Sequence, residues 1–155
     1  LPGITRELLI SEAAKYEIIM KMDAHSEYDK DYIDKCFKSL IKNDVDNVGG
    51  NVIHVPRENT PIGRSICAVL SSPFGVGNSF FRIGSDKERF VDTVPFGGFK
   101  KEAFLKLGLF DETEPRNEDL EFNNRIRNAG YKIMMQPDLS SIYYSRNDLI
   151  LHFFD

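Results

Sequence analysis

The sequence predicts an α/β fold, because short apolar runs typical of strands alternate with amphipathic stretches typical of helices along its 155 residues. Apolar residues make up 41% and aromatic residues 12% of the chain, which is enough apolar surface to form a core and excludes an intrinsically disordered protein. The length fits one domain or part of a larger one. Because there is no internal repeat or low-complexity segment, we expect one α/β unit over residues 1–155.

The first half of the chain is predicted to contain two strands and two helices. The apolar run Tyr16–Met22 is typical of a buried strand. Apolar residues recur at helical spacing over Asp29–Lys42, with acids at the start and lysines at the end, as the helix dipole favours. The segment Asp46–Val55 predicts a second strand, which Pro56 ends, and Pro61–Ser71 predicts a second helix.

The second half begins with a predicted loop. Glycines and polar residues over Ser72–Thr93 are typical of a long loop with a functional role. The segment Val94–Phe99 predicts a short strand, and Lys101–Leu107 predicts a short helix. A further helix is predicted to run from an N-cap at Asn117 to Ala129. Two strands are predicted to complete the unit, at Tyr131–Gln136 and Ser141–Tyr144.

Charge and cysteine content exclude several classes of protein. The chain has 20 Lys and Arg against 24 Asp and Glu, a net charge of −4, whereas a nucleic-acid-binding surface normally needs a basic excess. The two cysteines, Cys36 and Cys67, have no CxxC spacing, so a disulfide framework or thiolate zinc site is not indicated, and a reducing compartment is expected. No apolar run approaches the roughly 18 residues of a membrane span. We take the first residue, Leu1, as an indication of a fragment or processed product.

The first candidate site is the tripeptide Asp23-Ala24-His25, which follows the first predicted strand. Ligands of open α/β sheets bind at the carboxyl ends of the strands. Asp23 offers oxygen and His25 offers nitrogen, and side chains two residues apart on an extended segment could both reach one divalent ion. Taken alone, the tripeptide favours a simpler interpretation, in which Asp23 caps a turn and His25 is solvated.

The second candidate is the acidic pair Glu118 and Asp119 at the start of a predicted helix. A carboxylate there could accept a proton from a hydroxyl group, although the helix dipole alone also favours acids in a first turn. A third candidate is the glycine pair Gly97 and Gly98, which could let a ligand approach the backbone. Close packing or a bulge explains these glycines equally well.

Other polar residues are weaker candidates. Arg146 follows an aromatic pair and could bind a phosphate or a carboxylate, but a surface arginine is the simpler interpretation. His54 and His152 have no partner at ligand spacing, so a structural or solvated role is expected for both.

Four segments give these signals a common explanation. They are MKMDAHSEYDKDYIDKC, DNVGGNVI, VDTVPFGGFKKEAFLKLGLFDE and RNEDLEFNNRIRNAGYKIMMQPDLSSIYYSR, in this order between Tyr16 and Arg146. Together they resemble the C-terminal half of the catalytic domain of family 2 glycosyltransferases, in the bacterial succinoglycan and exopolysaccharide branch. The resemblance implies the nucleotide-diphospho-sugar transferase fold (GT-A, Rossmann-like) as a partial domain. Most of its nucleotide-binding half would be lacking, since only 22 residues precede Asp23.

The resemblance also implies roles for the candidate acids. Asp23 and His25 match a DxD-like element that holds Mn²⁺ or Mg²⁺ against the diphosphate of the donor, with His25 where a second Asp often stands. Glu118 and Asp119 match the ED pair of the family. By resemblance, Asp119 is the general base of an inverting transfer, and Glu118 positions the acceptor or a loop.

The resemblance implies the ligands as well. The donor is a nucleotide-sugar, taken as a UDP-sugar, and the acceptor is a saccharide or a lipid-linked molecule, with Gly97, Gly98 and Arg146 at the donor or acceptor cleft. The QxxRW element of processive synthases does not occur, which favours single additions. The expected location is the cytoplasm, with a peripheral position at the inner face of the cell membrane.

Two other interpretations stay open, and one property of the chain itself is expected. The chain could be a non-catalytic carbohydrate-binding or scaffolding remnant of such a domain, or, least favoured, a metal-dependent phosphoester hydrolase. The strand at Tyr16–Met22 would have an exposed edge if the preceding half were missing, so we expect self-association and little activity of the isolated chain.

Overall fold

A computed structural model of the protein describes residues 16–110 and 118–145. In these residues, six strands form one mixed sheet with helices packed against it. The strands are β1 Ile18–Met20, β2 Ser26–Tyr28, β3 Asn47–Pro56, β4 Arg89–Phe90, β5 Gly98–Lys100 and β6 Ile133–Ser145. The helices are α1 Tyr32–Asn43, α2 Pro61–Leu70, α3 Pro73–Val76, α4 Phe80–Ile83, α5 Lys101–Leu107 and α6 Glu118–Asn128. The predicted α/β class is confirmed.

The sheet is organised around one parallel pair. Its strand order is β1-β5-β3-β6-β2, and β4 pairs with β6 beside this path. β3 and β6 run parallel, whereas every other pair in the described part is antiparallel. Within the described residues β1 pairs only with β5 and therefore lies at an edge of the sheet. The self-association expected from this edge stays a prediction.

The last strand, β6, joins two segments that the sequence predicts as separate strands. Its register against β3 shifts between two neighbouring positions: Gly50 lies opposite Gln136, but Asn51 lies opposite Ser140. Residues 137–139 of β6 therefore form an irregularity, and a proline there removes one backbone donor. A Cβ atom on Gly50 would come within 2.2 Å of the Leu139 carbonyl oxygen, so the irregularity requires a glycine on β3.

Two apolar clusters cover the sheet. An aromatic-rich cluster forms where α5 and α6 pack, and its buried members are Val94, Phe99, Phe104, Phe110, Phe122, Ile126, Ile133 and Met135. The second cluster forms under α1, and its buried members are Tyr32, Cys36, Leu40, Val45, Val48, Met134 and Leu139. Successive residues of β6 belong to different clusters, as expected for a strand whose side chains alternate between faces. The predicted burial of Cys36 on α1 is confirmed.

A buried pair of amides connects α6 to the centre of the sheet. Asn47 on β3 donates from Nδ2 to Asn123 Oδ1 on α6 at 2.7 Å, and both side chains are fully buried. Asn123 in turn donates from Nδ2 to Thr93 Oγ1 at 2.7 Å and to the Val94 carbonyl oxygen at 3.2 Å. The helix that carries the acidic pair is therefore fixed to β3 and to the segment before β5.

Several element boundaries differ from those predicted. β5 begins at Gly98 rather than Val94, because the backbone of Phe96 has a φ of 53°, in the left-handed region that interrupts a strand. The predicted loop Ser72–Thr93 contains α3, α4 and β4. The strand β2, which was not predicted, pairs with β6.

We predict that Asn123→Ala lowers the free energy of unfolding by about 1–3 kcal/mol, because it leaves the buried Asn47 amide without its partner. Asn47→Ala is expected to cost a similar amount, and the double variant less than the sum of the two. Urea unfolding measures all three variants. Asn124→Ala, at an exposed neighbour on α6, is the control and should change stability by less than about 0.5 kcal/mol. Additive losses from the two buried sites would contradict the coupling.

Candidate active site

A lysine joins the end of β1 to the start of α6. Lys21 Nζ lies 2.9 Å from Glu118 Oε1 and 2.5 Å from Asp119 Oδ1. The three side chains are 26%, 20% and 23% exposed, so the charges are half-shielded from water. The backbone amide of Lys21 donates to the Gly97 carbonyl oxygen at 3.0 Å, and its ammonium lies 5.2 Å from the centre of the Phe110 ring. The structure thus brings the acidic pair to the carboxyl end of β1.

The surroundings of Asp119 oppose its ionisation. Burial raises the pKa of Asp119 above its usual value, and the nearby charges of Glu118 and Asp23 act in the same direction. The ammonium of Lys21 opposes them by ion pairing and hydrogen bonding. A carboxylate with a raised pKa is a stronger proton acceptor than an ordinary aspartate, which is the property that a general base needs.

Asp23 and His25 contact each other directly. Asp23 Oδ1 accepts hydrogen bonds from the His25 backbone amide at 3.0 Å and from His25 Nδ1 at 2.6 Å. Burial alone would raise the pKa of Asp23, but the hydrogen bonds and charge of His25 outweigh it, so the pKa is lowered. The Asp23 backbone amide donates to the Tyr28 hydroxyl at 2.7 Å, which fixes the turn after β1. Asp23 is therefore held ionised, whereas the His25 ring is 61% exposed.

These charged groups share one cavity. The cavity has a volume of about 640 Å³, and Lys21, Asp23, Glu118 and Asp119 all line it. Aromatic and polar side chains complete its lining, among them Ser79, Phe81, Arg82, Thr93, Phe96 and Tyr143. Residues from the β1 end, the α4 region, β6 and the α6 start thus converge on a space large enough for a small ligand.

The predicted glycines have a packing role. Gly97 and Gly98 are buried, and neither lines the cavity. A Cβ on Gly97 would lie 2.1 Å from Asn47 Oδ1, and one on Gly98 would lie 2.8 Å from Met20 Sδ. Gly97 therefore packs closely against Asn47, whereas at Gly98 the flexible Met20 side chain would have to shift, and a contact of either glycine with a ligand stays a prediction.

The remaining candidates are not part of the cavity as described. His54 Nδ1 lies 3.1 Å from Ser145 Oγ, and its ring packs on Tyr143, which agrees with the expected structural role. Arg146 and His152 lie outside the described residues, as does the predicted N-cap Asn117.

A divalent ion would need oxygen ligands from a substrate at this site. No group of three or more His, Cys, Asp and Glu side chains suited to a metal ion occurs in residues 16–110 and 118–145. Asp23 supplies an ionised carboxylate to the cavity, which suits Mg²⁺ or Mn²⁺, but its Oδ1 atom is already bonded to His25. The donor set fits an ion that is shared with phosphate oxygens.

Two charged residues of the cavity were missed by the sequence reasoning, Lys21 and Arg82. The signal for Lys21 was a single cation within the apolar run Tyr16–Met22, where a buried strand would not normally carry a charge. Arg82 had no comparable signal, because only the tertiary fold brings its segment to the β1 end.

Comparison with known families identifies the class of this α/β domain. The sequence profile described as glycosyl transferase family 2 matches residues 9–108, more than half of the chain. The chain therefore belongs to glycosyl transferase family 2, and its partial GT-A fold is that of the family. Enzymes of this family use nucleotide-sugar donors and generally a divalent metal ion.

One particular relative is the succinoglycan biosynthesis protein ExoA of Rhizobium meliloti (strain 1021). The two sequences are 27% identical over 135 residues. The match covers 86% of this chain and 40% of ExoA, so the chain spans about two fifths of the length of this relative. In the part of the chain that the structure describes, no helix has the length and apolar character needed to cross a bilayer.

We predict that Lys21→Met raises the pKa of Asp119 further, because the ammonium that favours its ionised form is removed. Carboxyl ¹³C NMR titration measures the shift. Since the native pKa of Asp119 already lies above its unfolded value, its ionisation costs stability at neutral pH, and this cost disappears as the pH falls below the raised pKa. Lys38→Met, which removes an exposed ion pair with Asp34, is the control and should leave Asp119 unchanged. An unaltered Asp119 titration in Lys21→Met would contradict the role of the ion pair.

Proposed function

We propose that this domain transfers a sugar from a nucleotide-sugar, taken as a UDP-sugar, to a hydroxyl group of a saccharide or lipid-linked acceptor in polysaccharide synthesis. The observation that carries the proposal is the convergence of Asp23 and Asp119 on one cavity, in which Lys21 forms an ion pair with Asp119. Membership of the family supports the reaction class, and the succinoglycan biosynthesis protein among its relatives supports a polysaccharide product.

Asp119 is the proposed general base. Its carboxylate takes the proton of the acceptor hydroxyl, and the resulting oxygen nucleophile attacks the anomeric carbon of the donor. The bond from that carbon to the diphosphate oxygen breaks on the opposite side, and the nucleoside diphosphate leaves with the electron pair. Attack opposite to the leaving group inverts the anomeric configuration. The raised pKa of Asp119 supports its choice as the base.

Glu118 and Lys21 are proposed to prepare Asp119 for this step. Lys21 contacts both acids, so it holds the two carboxylates together despite their mutual repulsion. Glu118 shares the ammonium and orients the acceptor or the neighbouring chain, rather than accepting the proton. Lys21 contacts Oδ1 of Asp119, and a carboxylate has further lone pairs on its second oxygen, so Asp119 can accept the proton while the ion pair is kept.

Asp23 is proposed to hold a divalent ion together with the donor diphosphate, with His25 as a second ligand or as the orienting partner of Asp23. When bound, Mn²⁺ or Mg²⁺ would neutralise the charge of the diphosphate leaving group. The low pKa of Asp23 supports this assignment, since a metal ligand must be ionised. We also propose that the protein works in the cytoplasm, at the inner face of the membrane.

We predict that Asp119→Asn in the full-length protein lowers sugar transfer by about 10² or more, the range for loss of a positioned general base. Affinity for the nucleotide-sugar should stay within a few-fold, because the amide keeps the shape of the carboxyl group. A transfer assay and donor titration measure the two effects. Glu118→Gln is the matched variant and should be milder. The opposite ranking would exchange the roles, and near-normal turnover of Asp119→Asn would remove this residue from the mechanism.

We also predict that Mn²⁺ binds weakly to the protein alone and tightly only with UDP, because the cavity has too few protein ligands for the octahedral shell. Asp23→Asn should abolish the gain that UDP provides, and His25→Gln should reduce it by about 10–100-fold, as loss of an orienting partner does. Manganese EPR with and without UDP measures this. Asp31→Asn, at an exposed acid paired with Lys35, is the control. Tight metal binding without nucleotide, or full activity in chelator, would contradict the proposal.

A further inference from the structure

We propose that Arg82 forms a phosphate-binding subsite in the cavity, separate from Asp23 and the acidic pair. The proposal rests on the proposed function in one respect, namely that the ligands of this cavity carry phosphate groups. The sequence reasoning assigned no role to Arg82, and its helix, α4, belongs to a segment predicted only as a loop.

The first observation is that Arg82 has no anionic partner. Within residues 16–110 and 118–145, its guanidinium group forms no ion pair and donates no hydrogen bond, and its recorded contact is with the Phe81 ring, 5.4 Å from the ring centre. By contrast, Arg125 binds Glu121 through two nitrogen atoms, and Arg127 pairs with Asp92. Half-buried arginines are normally paired in this way, because a guanidinium group removed from water otherwise loses hydration without compensation.

The second observation is the position of Arg82 inside the cavity. It lines the same space as Asp23 and Asp119, and burial lowers its pKa without removing its charge, since guanidinium groups stay protonated in proteins. The cavity thus contains a partly desolvated cation whose N–H donors have no acceptor among the described residues. A bound anion would restore the lost interactions, and its attraction to Arg82 is stronger there than in bulk water.

The neighbours of Arg82 suit a phosphate group. Tyr143 acts to raise the pKa of Arg82, opposite to the effect of burial, and the Tyr143 side chain lines the cavity. Ser79, at the start of α4, also lines the cavity, and its hydroxyl does not cap the helix. Hydroxyl groups and a planar guanidinium fork together match the several oxygens of a phosphate better than they match a neutral sugar.

Two substrates could supply this phosphate. One is the diphosphate of the donor, which would extend from Asp23 to Arg82. The other is the phosphate or diphosphate of a lipid-linked acceptor, which would place the acceptor hydroxyl or phosphate near Asp119. The chemistry that Arg82 recognises is the same in both cases, so the experiment must distinguish the sources.

The test is a titration of the full-length protein with inorganic pyrophosphate in the presence of chelator, which removes any contribution from a metal ion at Asp23. Arg82→Met is expected to weaken pyrophosphate binding by about tenfold or more, equivalent to roughly 1.4 kcal/mol. Arg82→Lys should recover part of the loss, because it keeps the charge but not the fork. Arg64→Met is the control for net charge, since Arg64 is exposed and its guanidinium group bonds to the neighbouring Asn59. Thermal unfolding of each variant checks that the fold is kept.

Two further titrations identify the source of the phosphate. If Arg82 binds the donor, Arg82→Met weakens UDP binding in Mg²⁺ and leaves binding to vesicles containing a polyprenyl phosphate unchanged. If it binds the acceptor, the vesicle binding falls and the UDP affinity stays the same. Either result supports the subsite. An Arg82→Met protein that is folded and binds pyrophosphate, UDP and the vesicles as wild type does overturns it, and so does an equal loss in Arg64→Met.

Failure of this inference can be told apart from failure of the proposed function. The binding measurements need no turnover, so they report on Arg82 even if Asp119 is not a base. Asp119→Asn should bind pyrophosphate at least as well as wild type, because it removes one negative charge from the cavity. A protein that binds pyrophosphate through Arg82 but transfers no sugar would contradict only the proposed function.

Discussion

The hydrogen bond between Asn47 and Asn123 is the interaction on which the geometry of the cavity depends. It connects the central strand β3 to α6 from within the core, where neither amide can turn to water. Because α6 begins with Glu118 and Asp119, the position of these acids is set by a contact one turn further along the helix. Phe122 and Ile126 of α6 pack in the aromatic-rich cluster, but apolar contacts are not directional. The hydrogen bond between the two amides is directional, so it fixes the orientation of α6 on the sheet. Within the described residues, the Asn47 Oδ1 atom is left without a hydrogen-bond partner.

The acids that line the cavity outnumber its cations. Among the described residues, three carboxylates and two cations line it, and Lys21 forms ion pairs with Glu118 and Asp119. The hydrogen bonds of His25 keep Asp23 ionised, whereas burial makes ionisation of Asp119 harder. The pKa values of two carboxylates in one cavity are therefore shifted in opposite directions. Proteins use this arrangement to give two nearby acids different roles. Arg82 is the second of these cations, and in the sequence it lies far from both the end of β1 and the start of α6.

The sequence predicted the elements whose ends are marked by residues close to them in the chain. The helix at Lys101–Leu107 was predicted at its observed boundaries, because apolar spacing and a following glycine mark both its ends. The continuity of β6 could not be predicted, since the segment around Pro137 reads as a break and only its pairing with β3 carries the strand through. The resemblance placed Asp23 and the acidic pair in one site, and they do line one cavity, but it could not show Lys21 or Arg82. Ion pairs between distant segments leave no periodic trace in a sequence.

The contact between Lys21 and Asp119 joins residues 98 positions apart in the chain. Contacts of such long sequence separation form late, because a large loop must close before they contribute. A chain that has formed only its local helices and hairpins therefore lacks this ion pair and the cavity around it. A ligand that contacts both ends of this loop binds only the completed fold, and mass action then shifts the folding equilibrium toward it. Ligand binding and the stability of the folded state are coupled in this way.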